Sequence, residues 1–99
     1  MMTTILIDAY IIDTLMADLV GHDRQPSAFL VYLYLWRRTH GKERTRVQIS
    51  LADLAEATGL SKRSVQDALG TLARRKLVSI ARESITAVPA YTVLRPWHR

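Results

Sequence analysis

The stretch from residue 50 to residue 70 constrains the fold of this chain more than any other part of its sequence. Ser50 and Ser61 each stand just before an amphipathic run, where a helix N-cap is expected. Gly59 lies between the two runs and can take a left-handed backbone conformation without steric cost. Ala55 is small enough for a second helix to cross closely over the first. The pattern therefore predicts two helices joined by a tight turn.

Apolar residues complete this two-helix unit. Those expected to form its shared core are Leu54, Leu60, Val65, Ala68 and Leu69. The small residue, the glycine, the apolar set and both caps agree at the offsets that a helix-turn-helix requires. The first of its helices is predicted to end at Thr58-Gly59. The second is predicted to run from Ser61 to about Arg75 or Lys76.

Two further helices are predicted before this unit. The first follows Asp8, a good N-cap, and runs to about Val20, with Gly21 as its stop. The second spans about residues 27–39 and is apolar all round, so it must be buried on more than one side. One side can pack on the helix-turn-helix. The other needs the first helix or a second copy of the protein.

Three short segments have β-type patterns. Residues 47–49 alternate and are compatible with a single strand, whereas residues 77–82 and 90–94 are predicted to pair as a hairpin. The expected fold class is therefore mainly α with a small β-hairpin.

Charge divides the chain into two parts. Residues 1–23 carry four Asp and no Lys or Arg, a net charge of −4. We assign them to a segment with an acidic amphipathic helix that is predicted to serve as an interface or as a core extension. Residues 24–99 hold all 14 Lys and Arg, 11 of them Arg, against five acids, a net charge of +9. This balance indicates a polyanionic partner, although solubility alone explains it as well. We assign residues 24–95 to one domain and residues 96–99 to a tail.

The segment LADLAEATGLSKRSVQDALGTLARRKLV, at residues 51–78, resembles the winged helix-turn-helix superfamily of bacterial and phage DNA-binding proteins. With the apolar helix before it and the Tyr91–Val93 return strand, the resemblance covers about residues 27–94. It is closest to domains of GntR-like regulators and of replication-initiator proteins. The resemblance implies a winged helix-turn-helix fold and DNA recognition by the helix at about residues 61–75. The predicted helix after Asp8 is an N-terminal addition to this fold.

Two features depart from the pattern of these relatives. Lys76 stands where relatives often have glycine before the Leu-Val strand, which predicts a less sharply turned join. The wing is short and has no basic residue between Arg82 and Arg95, which argues against deep insertion into the minor groove.

The outward side of the predicted recognition helix supplies the candidate DNA contacts. The candidates for reading bases are Arg63, Ser64, Gln66, Asp67, Gly70 and Arg74. The candidates for phosphate contacts are Lys62, Thr71, Arg75, Arg82, Arg44 and Arg46. Arg63 and Gln66 suit bidentate contacts to guanine and adenine edges. Gly70 is costly inside a helix, so DNA or a neighbouring element is expected to approach its backbone closely. The alternative is a solvated face on which Arg63 pairs with Asp67.

A homodimer is the expected assembly, and the acidic first helix is also suited to a protein partner. The candidates for the dimer interface are Ile11, Ile12, Leu15, Met16, Leu19, Tyr32 and Trp36. Two recognition helices would then face a near-palindromic site.

Other classes of function find little support in the sequence. The chain has no Cys, its three His are scattered, and no glycine-rich phosphate loop is present, so we expect no enzyme, no metal site and no cofactor. The longest apolar run, Ala28–Trp36, is too short to span a membrane, and no signal segment opens the sequence, so a cytoplasmic protein is expected. The predicted function is sequence-specific binding of double-stranded DNA in transcription regulation. The alternatives are a replication-initiation module and a protein-interaction or oligomerisation module that does not read DNA.

Overall fold

The computed structural model describes residues 2–98, which contain four helices and a three-stranded sheet. The helices are α1 (residues 9–22), α2 (Pro26–Arg38), α3 (Leu51–Thr58) and α4 (Lys62–Arg74), and a 3-10 turn follows α2 at His40–Lys42. The strands are β1 (Arg46–Gln48), β2 (Val78–Ala81) and β3 (Ala90–Val93). These elements lie where the sequence predicts them, within about two residues at each end.

The sheet is antiparallel throughout, with the strand order β1-β3-β2. Tyr91 of β3 lies between Val47 of β1 and Ile80 of β2, and both Tyr91 and Val47 are buried. The predicted β-hairpin is confirmed, and β1 extends it by one strand. Because side chains alternate across a strand, Arg46 and Gln48 then lie on the opposite, solvent-facing side of the sheet.

Helix α2 lies at the centre of the molecule and contacts α1, α3, α4 and β3. Its side chains that are entirely inaccessible to solvent are Ala28, Val31, Tyr32 and Leu35. The phenol of Tyr32 donates a hydrogen bond to the carbonyl oxygen of Leu94 at 2.7 Å, so the polar end of this buried ring has a partner. The all-round apolar character of α2 thus reflects burial by the protein's own elements.

Helix α1 contains two π-helical stretches, Ile11–Leu15 and Asp18–His22, joined by α-helical residues. The wider i→i+5 turns raise the average to about four residues per turn, so residues four apart align along the axis. One such row, Ile11, Leu15 and Leu19, is buried in the core. The next row, which we call the α1 outer row, is exposed and consists of Ile12, Met16 and Val20.

This arrangement corrects the predicted dimer interface. Five of its seven candidates are buried in the protein's own core, namely Ile11, Leu15, Leu19, Tyr32 and Trp36. A buried side chain cannot bind a second copy without unfolding of its surroundings. Only Ile12 and Met16 remain available. The α-helical period of 3.6 places these two on the same face as the core residues, and the π-helical turns separate them.

The end of α1 also differs from the prediction. Gly21 lies inside the helical segment and is not its stop. The amides of Asp23 and Gln25 donate to the carbonyl oxygens of Asp18 and Leu19, both at 2.8 Å, and extend the hydrogen bonding past Gly21. Arg24 then takes the left-handed conformation, with φ 54°, that turns the chain toward α2.

The join between α4 and β2 is a sharp turn, contrary to the sequence-based expectation. Lys76 adopts φ 58°. Its amide donates to the carbonyl oxygen of Ala73 at 3.0 Å, and the amide of Leu77 donates to that of Leu72 at 2.9 Å. These two bonds form a Schellman motif, in which the left-handed residue is usually Gly. The hydrogen bonds to these two carbonyl oxygens and the burial of Leu77 offset the backbone strain of a non-glycine residue in the left-handed conformation at Lys76.

The chain ends are joined by a polar contact. One carboxylate oxygen of Asp8 accepts hydrogen bonds from Arg95 Nε and Trp97 Nε1, both at 2.8 Å. Although partial burial raises the pKa of Asp8, the bonds from Trp97 and Arg95 outweigh it and hold the pKa below its ordinary value. Trp97 also stacks on Tyr10, with 4.6 Å between ring centroids. The predicted tail is therefore packed against α1 at Trp97, while Arg99 lies outside the described residues.

Candidate nucleic-acid interface

Both helices of the helix-turn-helix begin at the predicted caps. Ser50 Oγ accepts a hydrogen bond from the amide of Asp53 at 3.1 Å, and Ser61 Oγ accepts one from the amide of Ser64 at 3.0 Å. Gly59 ends α3 with φ 76° and donates its amide to the carbonyl oxygen of Ala55 at 2.9 Å. These local predictions are confirmed, and together they fix where α4 begins and in which direction it leaves the turn.

Helix α4 has one buried and one open side. Its buried residues are Val65, Ala68, Leu69, Thr71 and Leu72. Opposite them lies a set of residues that we call the α4 outer face, formed by Arg63, Gln66, Asp67, Gly70 and Arg74. Of these, Gly70 is half-buried and the other four are exposed. Ser64 is also half-buried, and its hydroxyl accepts a hydrogen bond from Ser61 Oγ at 3.0 Å within the cap.

An ion pair lies on the α4 outer face. Arg63 Nε is 3.4 Å from Asp67 Oδ1, one turn further along the helix, and the two side chains are 83% and 54% exposed. Exposed pairs of this kind contribute less than about 1 kcal/mol. The guanidinium of Arg63 is therefore free to exchange Asp67 for an external acceptor at small cost.

Thr71 does not fit its predicted role as a phosphate contact. Its side chain is only 4% exposed, and its hydroxyl accepts a hydrogen bond from Arg74 Nη2 at 3.2 Å. The helical wheel places Thr71 at the flank of the outward stripe, and packing against the rest of the domain covers it. Thr71 acts instead on the position of Arg74, whose guanidinium it holds near the helix surface.

Arg75 is bound within the protein. Its Nε and Nη2 donate to the two carboxylate oxygens of Asp23 at 2.7 and 2.8 Å, and Asp18 lies 3.9 Å from Nη1. Its predicted phosphate contact conflicts with this two-point pairing, because the same groups would have to leave Asp23. The bonds from Arg75, and then from His22, hold the pKa of Asp23 far below its ordinary value.

Asp18 and Asp23 are the two residues near the interface that sequence reasoning missed. Asp13, Asp18 and Asp23 follow one another at intervals of five residues, which in an α-helix predicts side chains that point in different directions. The π-helical stretch and the turn at Arg24 instead bring both carboxylates to Arg75. Only the segment's unusual hydrogen bonding reveals the convergence, and the sequence carries no recognised signal for it.

The remaining phosphate candidates lie on exposed parts of the chain. Lys62 occupies the first turn of α4, and Arg44 precedes β1 in an exposed loop. Arg46 lies on the solvent side of β1, and together with Arg82, just after β2, it borders a shallow hollow that also contains Glu83. The wing turn after Arg82 carries the exposed Ile85 at its tip, so its contribution to DNA binding stays a prediction.

Two other features were sought within residues 2–98, a membrane-spanning helix and a metal site. No helix within residues 2–98 combines the length and the apolar character that crossing a bilayer requires. Within the same residues, no three His, Asp or Glu side chains come together in a way that suits a metal ion.

A helix-turn-helix followed by a β-hairpin and completed by a third strand defines a winged helix-turn-helix domain. The chain belongs to the helix-turn-helix domain family, whose model, described as "Helix-turn-helix domain", matches residues 25–78, more than half of the chain. No curated protein matches the sequence.

Among solved structures, the chain is similar to the crystal structure of the AntR antimony-specific transcriptional repressor. The TM-score is 0.53 and the sequence identity is 23%, over 84% of this chain and 63% of that one. The similarity shows a shared winged fold. This chain spans less than two thirds of the length of that repressor chain.

Proposed function

We propose that this protein binds double-stranded DNA sequence-specifically, with α4 in the major groove, and that it regulates transcription. The observation that carries the proposal is the α4 outer face, where polar and charged side chains are exposed on a helix that is capped and packed on its other side. Such a helix is preorganised, so little conformational entropy is lost when it enters the groove.

The roles within this interface follow from side-chain chemistry. Arg63 and Gln66 are our proposed base readers, since their planar groups match the edges of guanine and adenine in two-point contacts. Asp67 can accept a hydrogen bond from a cytosine amino group once Arg63 has left it. Arg74 is the fourth proposed reader, positioned by Thr71.

Phosphate contacts come from a separate group of side chains. These are Lys62, Arg44, Arg46 and Arg82, all exposed, and they fix the register of the protein without specifying sequence. The similarity to a transcriptional repressor supports regulation of transcription as the role. We propose the cytoplasm as the location of such a regulator.

Selection from a randomised duplex pool tests the proposal. We expect a consensus sequence to be enriched, and we expect the affinity for it to fall linearly with the logarithm of salt concentration as phosphate contacts release counterions. Affinity for random duplex should be lower by a factor of about 1,000 or more. No enrichment, together with no duplex binding at about 50 mM salt, would contradict the proposal and favour a protein-interaction module.

We further propose that the protein binds as a homodimer through the α1 outer row. Ile12, Met16 and Val20 are 43%, 36% and 39% exposed and form a straight apolar row on one helix. A second copy related by a twofold axis would cover both rows at once, and binding to a near-palindromic site would require its two α4 helices to lie about 34 Å apart.

The substitution Met16→Glu tests the dimer. A carboxylate in the middle of the row would be desolvated beside its symmetry mate, so light scattering should report a monomer where the unmodified chain is a dimer. Leu30→Glu is the matched control, because Leu30 is also exposed (45%) but lies on α2, outside the row. A monomeric unmodified protein at the concentrations that bind DNA would contradict the dimer.

A further inference from the structure

Gly70 lies in the middle of α4, one turn after Gln66 and one turn before Arg74. Apart from proline, glycine is the least favourable residue in the interior of a helix. A glycine at this position on the α4 outer face therefore calls for a reason outside helix formation.

The protein itself provides no such reason within the described residues. Gly70 has ordinary helical backbone geometry, in contrast to Gly59 with its positive φ. A Cβ added at Gly70 meets only Arg74 Nη1, at 3.8 Å, which is an ordinary van der Waals contact. The sequence leaves two explanations open, a neighbouring element or DNA. Among the described residues, no other element comes within 4 Å of the added Cβ.

The missing side chain creates a small notch in the α4 outer face. Its floor is the backbone of Gly70, and Gln66, Asp67 and Arg74 surround it. The hydrogen bond from Arg74 to Thr71 holds the guanidinium along the rim. The amide and carbonyl of the floor belong to the helix hydrogen-bond ladder, so the floor presents no free donor.

We propose that Gly70 is a specificity-determining residue whose bare backbone receives the methyl group of a thymine in the major groove. This inference rests on the proposed DNA binding. A polar base atom placed against the floor would lose hydrogen bonds with water that the floor cannot replace, and any donor would have to come from the rim, where Arg74 lies. The 5-methyl of thymine is the apolar group that projects into the major groove, and it loses nothing there.

The test combines Gly70→Ala with single replacements of thymine by deoxyuridine, which remove only the methyl group from the selected duplex. We expect Gly70→Ala to raise the melting temperature by about 4–8 °C, because alanine favours the helix, and yet to weaken binding about tenfold. Deoxyuridine at one position should restore most of the affinity of the variant, while it weakens binding by the unmodified protein.

Gly21→Ala is the matched control, since Gly21 is also helical and its added Cβ meets nothing within 4 Å. It should leave affinity unchanged.

The outcomes separate this inference from the function on which it rests. If the unmodified protein binds the selected duplex and Gly70→Ala binds it equally well, the proposed role of Gly70 is contradicted, whereas the proposed DNA binding is not. If Gly70→Ala is weak on every duplex and no deoxyuridine rescues it, the thymine contact is overturned. If the unmodified protein selects no duplex, the proposed function fails and the inference fails with it.

Discussion

Replacing Arg63 with alanine is expected to weaken binding to the selected duplex by a factor of about 10 to 100 and to relax the base preference at one position. A two-point contact to a base edge is worth about 1–3 kcal/mol of discrimination. The substitution also leaves the carboxylate of Asp67 without its cation, and that negative charge then faces the DNA. Competition binding against duplexes that carry all four bases at each position measures both effects.

Lys62→Ala is the control for this experiment, because Lys62 is the adjacent exposed cation but is assigned to phosphate. Its loss should weaken binding to all sequences by a similar factor and reduce the salt slope by about one. The double variant Arg63→Ala with Asp67→Ala should bind more tightly than Arg63→Ala alone. Equal losses on specific and random DNA for both single variants would contradict the assignment of Arg63 as a base reader.

Replacing Asp23 with asparagine is expected to lower the free energy of unfolding by about 2 kcal/mol at pH 7, as for other partly buried, charge-assisted hydrogen bonds. Asp23 accepts both hydrogen bonds that fix Arg75 at the end of α4, and its side chain is only 17% exposed. Urea denaturation of the two proteins gives the difference. The same substitution should weaken DNA binding only modestly, because Arg75 lies outside the proposed contact set.

The effect of Asp23→Asn depends on pH in a defined direction. The pKa of Asp23 is lowered in the folded state, so the carboxylate stabilises the fold fully above its unfolded pKa of about 3.9. That contribution is lost as the pH falls through the folded pKa, and the difference between variant and parent should narrow below about pH 4. Asp13→Asn, at an exposed position of α1, is the control and should change the free energy of unfolding little at pH 7. A difference that persists undiminished into acid would mean that the ion pair does not account for the loss.

Much of the fold could be predicted from the sequence because its signals are local. The caps at Ser50 and Ser61, the left-handed Gly59 and the alternation in the strands each depend on residues within one or two turns of each other. The composition of the α4 outer face follows from the same periodicity. These features predict where elements begin, and they predict which side of α4 faces outward.

The sequence failed where the outcome depended on contacts between distant residues. Thr71 and Arg75 carry suitable groups for phosphate, and only packing shows that Thr71 is covered and that Arg75 is paired with Asp23, 52 residues away. Asp8 and Trp97, 89 residues apart, meet in the same way. Hydropathy patterns contain no information on such pairings, because the tertiary fold determines which distant residues become neighbours.

The sequence by itself determined that this chain contains a helix-turn-helix with a basic outward helix. The tertiary structure alone decided which polar groups remain available to DNA and which apolar groups remain available to a partner. The reason is physical: helix and turn formation depend on near neighbours in the chain, whereas exposure depends on every element packed around a side chain. In α1 the π-helical turns made this distinction sharpest, by burying Ile11, Leu15 and Leu19 and exposing the α1 outer row.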